Sequence, residues 1–149
     1  MLRLTPETHV AMLAHAFDGL PDESCGLMVG RLNADSGASD PLSPGAVAEV
    51  TRFERCRNAA ESSRIYSIDP KDLLRIERDA DDDDLDIVGV MHSHTHTEPY
   101  PSVTDVNQAP DPSWHFVIVS LRDVSPILRS YRIIDGEIIE EPVVVTADA

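Results

Sequence analysis

The sequence feature that most constrains the fold is a near-continuous apolar run over residues 86–91, DIVGVM, which leads directly into His92-Ser93-His94. A short apolar run of this kind is typical of a strand that is buried on both faces. Such a strand needs a packed layer on each side, so we predict that it lies inside a layered α/β domain. The same strand delivers two histidines to its carboxyl end.

Two longer helices are predicted from their start signals. Thr5-Pro6 and Asp69-Pro70 each place a capping side chain directly before a proline at the first helical position. We therefore expect helices over residues 5–18 and 69–80. The aspartates at 81–84 put negative charge near the C-terminal end of the second helix, so we expect that helix to fray early.

The remaining elements are shorter. Ser102 is expected to open a third helix that ends at Pro110, and Asp135-Gly136 between two apolar runs predicts a hairpin turn. The other segments read as strands, namely residues 23–31, 46–53, 63–68, 114–121, 127–134 and 137–145. This order of elements predicts an α/β sandwich with helices against a mixed sheet. We expect a single domain over residues 1–149, with a flexible loop at 33–45.

The charge of the chain excludes two classes of partner. The 149 residues include 12 lysines and arginines against 27 aspartates and glutamates, a net charge of −15. Nucleic acids and anionic membranes are held through clustered basic residues, so we expect neither as a partner. No apolar run approaches the roughly 20 residues of a membrane span, and no signal-peptide pattern is present. With only Cys25 and Cys56, the expected location is cytoplasmic, with both thiols free.

The residues that carry chemistry follow the apolar strand. His92 and His94 stand at i and i+2, so an extended backbone points both imidazoles to one side, where they can reach one ion. Asp105 can add an oxygen. Two histidines and one carboxylate leave a fourth tetrahedral position for water, which is typical of a catalytic zinc site. Ser102-x-x-Asp105 is also a capping box, an interpretation compatible with metal binding.

A cupin site is an alternative that the sequence disfavours. His92, His94 and Glu98 match the His-x-His-x3-Glu spacing of that family, but the pattern needs a glycine where this chain has Asp105. The second half of the pattern, with its later histidine, does not appear either, because His115 lies inside a predicted strand.

The complete pattern resembles the JAMM (MPN+) metalloprotease motif. It comprises His92-Ser93-His94, seven residues, Ser102, two residues and Asp105, with Glu23 upstream in an early strand. Weaker similarities extend over most of the chain, in the segments 22–27, 57–58 and 66–70. The resemblance implies an MPN/JAB-like sandwich with the layering of the cytidine deaminases.

The resemblance also implies roles for the motif residues. His92, His94 and Asp105 would bind one zinc ion per chain, with water as the fourth ligand. Glu23 would act as the general base that returns a proton to the leaving amine, and Ser102 would donate a hydrogen bond to the oxyanion. Amide hydrolysis needs these three tasks.

Two residues near the motif have open roles. Many relatives carry a proline after the second motif histidine, where this chain has Thr95-His96. We expect His96 to face solvent, with contact to substrate or to a second metal as alternatives. Cys25 lies two residues after Glu23 and is expected to be a small buried thiol rather than a nucleophile.

The short chain resembles the compact prokaryotic branch of the family. That branch implies a small ubiquitin-like sulfur-carrier protein as partner, whose C-terminal Gly-Gly tail would bind as an added strand and release an amino acid, typically cysteine. One rival is an isopeptidase that removes a ubiquitin-like modifier from protein conjugates; another is a non-catalytic MPN scaffold. A zinc deaminase is disfavoured because its Pro-Cys-x-x-Cys pattern is missing, since no two cysteines here are close in sequence. The oligomeric state stays open, a homo-oligomer included.

Overall fold

The apolar run forms a strand near the middle of an eight-stranded sheet in the computed structural model. The structure describes residues 1–32 and 40–147. In chain order its elements are β1 (Leu2–Leu4), α1 (Pro6–Asp18), β2 (Cys25–Arg31), β3 (Ala48–Cys56), α2 (Pro70–Asp82), β4 (Asp86–His94), α3 (Val103–Asn107), β5 (His115–Ser120), β6 (Ile127–Ile134), β7 (Glu137–Glu141) and β8 (Val143–Val145).

The sheet is mixed, as predicted. Its strand order is β7-β6-β5-β4-β2-β3-β1-β8. Strand β4 pairs antiparallel with β2 and parallel with β5, while β1 is parallel to both of its neighbours, β3 and β8. The parallel pairing of β4 with β5 places the carboxyl ends of these two strands side by side, with His94 opposite Ser120.

A helix covers each face of the sheet. Met12 and Ala16 of α1 belong to one buried cluster together with Met91, and Ile76 of α2 belongs to a second cluster together with Val90. Because side chains alternate along a strand, His92 and His94 lie on the same face as Val90, the face that α2 covers. The predicted α/β sandwich is therefore confirmed.

Both long helices begin where their capping signals predict. The Thr5 side chain accepts a hydrogen bond from the Thr8 backbone, and the Asp69 side chain accepts one from the Lys71 backbone. The expectation that α2 frays early is wrong. The helix continues to Asp82, because the Asp83 carboxylate binds Arg52 at 2.8 Å and the Asp83 backbone N–H donates to carbonyls of the last turn.

The segment 63–68 is not a strand, and only a single bridge joins Ile68 to Asn58. The Asn58 side chain forms hydrogen bonds with backbone groups of this segment that a strand would offer to a neighbouring strand. Its Nδ2 donates to the Ile65 carbonyl at 3.1 Å, and its Oδ1 accepts from the Ser67 N–H at 3.0 Å. Local side-chain bonds of this kind compete with a sheet ladder.

Other strand boundaries also differ from the prediction. The long strand over 137–145 is split by Pro142, which has no N–H for the ladder, so that β7 pairs with β6 and β8 pairs with β1. Strand β1 was not predicted. The Asp135-Gly136 turn is confirmed, with φ values of 52° and 77°. The predicted strands 23–31, 46–53 and 114–121 are observed as Cys25–Arg31, Ala48–Cys56 and His115–Ser120.

Most of the loop predicted at 33–45 lies outside the described residues, which resume at position 40. Residues 41–45 form turns and a bend. Among the described residues, no helix has the length and apolarity to cross a membrane.

Candidate active site

Three potential metal-ligand atoms converge at the carboxyl end of β4. His92 Nε2 and His94 Nε2 lie 3.1 Å apart, and each is within 3.2 Å of Asp105 Oδ2. Within the described part of the chain, these are the only three His, Cys, Asp or Glu side chains grouped closely enough to hold one metal ion. Tetrahedral ligands at the usual zinc distances stand about 3.3 Å from one another, so the spacing fits such an ion.

Local structure explains why the three atoms meet. His92 and His94 project to the same side of extended β4, as the i, i+2 spacing predicts. Asp105 lies in the first turn of α3, where the Ser102 N–H donates to Asp105 Oδ2 at 2.9 Å and the Asp105 N–H donates to Ser102 Oγ at 3.0 Å. The predicted capping box is present, and it fixes the carboxylate that faces the histidines.

The two imidazoles are held in different ways. His94 Nδ1 lies 2.8 Å from the Glu98 carbonyl, which requires a proton on Nδ1 and leaves the Nε2 lone pair free for a metal. His92 is stacked on Tyr66 with ring centroids 4.3 Å apart, and its Nδ1 is buried with no partner in the described structure. Glu98 contributes its backbone carbonyl rather than a cupin-like carboxylate ligand.

Charge at the cluster favours a bound cation. Burial alone would raise the pKa of Asp105, but hydrogen bonds with His92 and His94 outweigh burial and hold that pKa well below its usual range. Burial lowers the pKa of His92 and so keeps this imidazole neutral, the form that ligates metals. For His94, burial also acts to lower the pKa, but hydrogen bonds to Asp105 and the Glu98 carbonyl raise it.

Glu23 lies two residues before β2, so its predicted place inside a strand is wrong. Its N–H donates to the Ser62 carbonyl at 2.8 Å, and its carbonyl accepts from Asn58 Nδ2 at 3.0 Å. The side chain is buried, and Oε1 has no hydrogen-bond partner in the described structure. Burial raises the pKa of Glu23 to about 8, and the charges of His94 and Asp105 also act on it. A buried carboxylate of this kind is a candidate proton acceptor.

The segment that carries Glu23 is joined directly to the histidine strand. Ser93, between the two histidines, accepts a hydrogen bond from the Ser24 N–H at 2.7 Å through its Oγ, and its own N–H donates to the Ser24 carbonyl at 2.9 Å. Neither this contact nor the Asn58 contact to Glu23 was predicted. Asn58 and Tyr66 were visible only as parts of family-like segments, without a role.

The residues near the motif differ in their exposure to solvent. His96 is exposed, which agrees with the expectation that it faces solvent; contact with substrate stays a prediction. Cys25 and Cys56 are free, buried thiols that stand opposite each other on β2 and β3. Burial raises the pKa of each to about 12, so both are inert as nucleophiles near neutral pH.

Comparison with known proteins decides the family. The sequence profile described as "Prok-JAB: Prokaryotic homologs of the JAB domain" matches residues 5–134. The chain belongs to this family. It is also 42% identical over 134 residues to proteins named CysO-cysteine peptidase from Mycobacterium tuberculosis and Mycobacterium bovis, a match that covers 89% of this chain and 83% of theirs.

Solved structures agree with this assignment. A protein from Desulfitobacterium hafniense, known from its solution structure, superposes with a TM-score of 0.82 at 30% identity and covers 99% of this chain and 94% of its own. A JAB1/MPN domain protein from Archaeoglobus fulgidus shares the fold, with a TM-score of 0.53, 19% identity and coverage of 97% and 99%. The resemblance drawn from the motif is confirmed, and the chain is a hydrolase of the peptidase class.

Proposed function

We propose that this chain is a zinc-dependent peptidase that acts on a small ubiquitin-like sulfur-carrier protein. It hydrolyses the amide bond after the C-terminal Gly-Gly of the carrier and releases an amino acid, cysteine. One observation carries the proposal: three ligand atoms converge beside a buried carboxylate that has a free oxygen. The name of the mycobacterial relatives, CysO-cysteine peptidase, supports the substrate class.

The donor set supports zinc as the metal. Two neutral imidazole nitrogens and one carboxylate oxygen, provided here by His92, His94 and Asp105, are typical ligands of a catalytic zinc. We infer one zinc ion per chain. Zinc in such a site supplies Lewis acidity, which makes water more acidic and polarises a substrate carbonyl.

Residues of the chain itself provide proton transfer, oxyanion stabilisation and orientation of a ligand histidine. Glu23 accepts the proton of the attacking water and passes it to the leaving amine, a role supported by its buried carboxylate with an oxygen that has no hydrogen-bond partner in the described structure. Ser102 Oγ already accepts the Asp105 N–H, so its hydroxyl hydrogen is available to the developing oxyanion. The Glu98 carbonyl keeps the proton of His94 on Nδ1.

Elemental analysis and mass spectrometry test this function together. Purified protein reloaded with zinc should hold about one ion per chain and should shorten a carrier ending in Gly-Gly-Cys by one residue. His92→Ala should lose both properties, whereas the exposed His96→Ala serves as the matched control and should keep both. Wild-type protein that stays free of zinc, or that leaves the adduct intact, would overturn the proposal.

The same assay separates the two hydrolytic alternatives. A carrier joined through an isopeptide bond to a lysine of a folded protein should be cleaved much more slowly than the cysteine adduct. Faster cleavage of the isopeptide conjugate would assign the chain to the removal of ubiquitin-like modifiers instead.

A further inference from the structure

The proposed substrate brings a free carboxylate to a strongly acidic protein. Glu23 is buried, Asp105 is partly buried, Glu98 is exposed, and the chain as a whole carries a net charge of −15. An amino acid attached by its nitrogen to the carrier tail still bears its free α-carboxylate. That carboxylate comes to rest near the site, where an arginine or lysine side chain can bind it.

Most cations in the described part of the chain are already engaged. Ion pairs involve Arg52, Arg55, Arg57, Arg75, Arg122 and Arg129. The guanidinium of Arg132 is buried and donates to backbone carbonyls. Four side-chain cations among the described residues make neither an ion pair nor a side-chain hydrogen bond, namely Arg31, Arg64, Lys71 and Arg78.

Two of these four cations lie far from the site along the sheet. Arg31 is the last residue of β2, and its neighbour Gly30 pairs with Asp86 at the start of β4. Arg78 lies in the C-terminal half of α2, which leads directly into that same end of β4. The histidines occupy the opposite end of β4. Lys71 lies in the first turn of α2, after the segment that contacts the site.

Of these four cations, only Arg64 belongs to a segment that contacts the site. The carbonyl of Ser62 accepts the Glu23 N–H at 2.8 Å. The carbonyl of Ser63 accepts the hydroxyl of Thr95, the residue directly after His94, at 3.0 Å. Residues 62 and 63 are thus bonded to the general-base segment on one side and to the histidine strand on the other, and the exposed Arg64 follows them in sequence.

We propose that Arg64 binds the α-carboxylate of the amino acid that is released, and so makes the site select a single C-terminal residue. The inference rests on the proposed function and deepens it. A guanidinium can hold a carboxylate through two parallel hydrogen bonds, which provides both affinity and orientation. An internal peptide bond or a lysine side chain of a folded protein presents no such carboxylate at this position.

Two synthetic substrates test the proposal, namely a carrier ending in Gly-Gly-Cys and the same carrier ending in Gly-Gly-Cys carboxamide. Wild-type enzyme should cleave the acid with a kcat/KM roughly tenfold above that of the amide, the size expected for one hydrogen-bonded charge. Arg64→Ala should lose this preference while cleaving the amide as fast as wild type does. The four rates form a double-mutant cycle that isolates the contact between Arg64 and the carboxylate.

Arg78→Ala is the matched control, because it removes the same charge at the far end of β4, and it should keep the full preference for the acid. Arg64→Lys should keep part of that preference. The proposal is overturned if Arg64→Ala still prefers the acid, or if Arg78→Ala or Lys71→Ala loses the preference instead. Equal cleavage of both substrates by wild type overturns the role of Arg64 alone, whereas cleavage of neither overturns the proposed function as well.

Discussion

Two buried histidine–carboxylate clusters occupy opposite ends and opposite faces of the central strands. The ligand cluster, His92, His94 and Asp105, lies at the carboxyl end of β4. The anchor cluster, His115, Ser130, Arg132 and Glu141, lies where β5 begins, and His115 pairs in register with Gly89. In the anchor cluster, His115 Nδ1 and Ser130 Oγ each lie 2.7 Å from Glu141 Oε2.

The two clusters differ in whether their polar atoms have partners inside the protein. Arg132 donates to backbone carbonyls on three segments. Glu141 accepts from His115 and Ser130 and pairs with the N-terminal ammonium at 2.8 Å, so both charges are satisfied inside the protein. In the ligand cluster, three potential ligand atoms face one another across 3.1–3.2 Å. Convergence of ligand atoms, rather than a buried histidine beside a carboxylate, therefore identifies the site.

The largest expected effect is on kcat, and it is tested by changing one carboxylate in each cluster. Glu23→Gln should lower kcat by about 10²- to 10⁴-fold, because a positioned general base contributes that much, and should leave the zinc content unchanged. Glu141→Gln should leave kcat close to wild type and lower the thermal unfolding midpoint instead. Steady-state cleavage of the cysteine adduct measures both variants. A fully active Glu23→Gln would remove Glu23 from the mechanism.

The anchor cluster is expected to act on stability alone. Arg132→Met leaves several backbone carbonyls without their donor, so the free energy of unfolding should fall by about 3–5 kcal/mol. Zinc stoichiometry should not change. Arg52→Met, which breaks a partly exposed pair with Asp83, should cost no more than about 1 kcal/mol, and urea unfolding measures both variants. Loss of zinc in Arg132→Met at low urea would show that the two clusters are coupled.

Much of the fold follows from local signals. Thr5-Pro6 and Asp69-Pro70 mark the helix starts because a cap and a proline act within one turn, and the apolar run of β4 implies a layer on each face. The pairing of β1 with β8 was not predictable in the same way, since each strand has only three residues and its partner lies at the other end of the chain.

The candidate site likewise combines contacts that the sequence predicts with contacts that it does not. The i, i+2 histidines and the capping box around Asp105 are set by local geometry, so their spacing alone predicts that they converge. The hydrogen bond from Asn58 to the Glu23 carbonyl, 35 positions apart, has no signature of its own in the sequence. The anchor cluster is equally hidden, because His115 and Glu141 meet only after three strands have paired.

The pH dependence of stability should have opposite signs in the two regions. Burial raises the pKa of Glu23 from 4.5 to about 8, so metal-free folded protein binds more protons than the unfolded chain between these values. Stability from this residue should therefore decrease as the pH rises across that window, by up to about 5 kcal/mol. Burial alone would raise the pKa of Glu141, but the hydrogen bond from His115 lowers it, so its stabilisation is lost as the pH falls instead.

Urea unfolding of metal-free protein at pH 5, 7 and 9 checks this difference. Glu23→Gln should be more stable than wild type at pH 9, and the gap should close toward pH 5. Glu141→Gln should instead be less stable than wild type at pH 7 and 9. Parallel pH profiles for wild type and Glu23→Gln would contradict the buried, unpartnered state of Glu23.

The smallest expected effect concerns the way His92 is oriented, since its Nδ1 lacks the carbonyl partner that His94 has. Stacking on Tyr66 is worth about 1 kcal/mol, so Tyr66→Leu should weaken zinc binding several-fold in a competition titration with a chelator. Tyr66→Phe keeps the ring and should bind zinc as wild type does. If Tyr66→Leu also binds like wild type, the extended backbone of β4 alone orients His92. The ligand cluster would then be fixed by strand geometry and the Asp105 cap, as the anchor cluster is fixed by its strands.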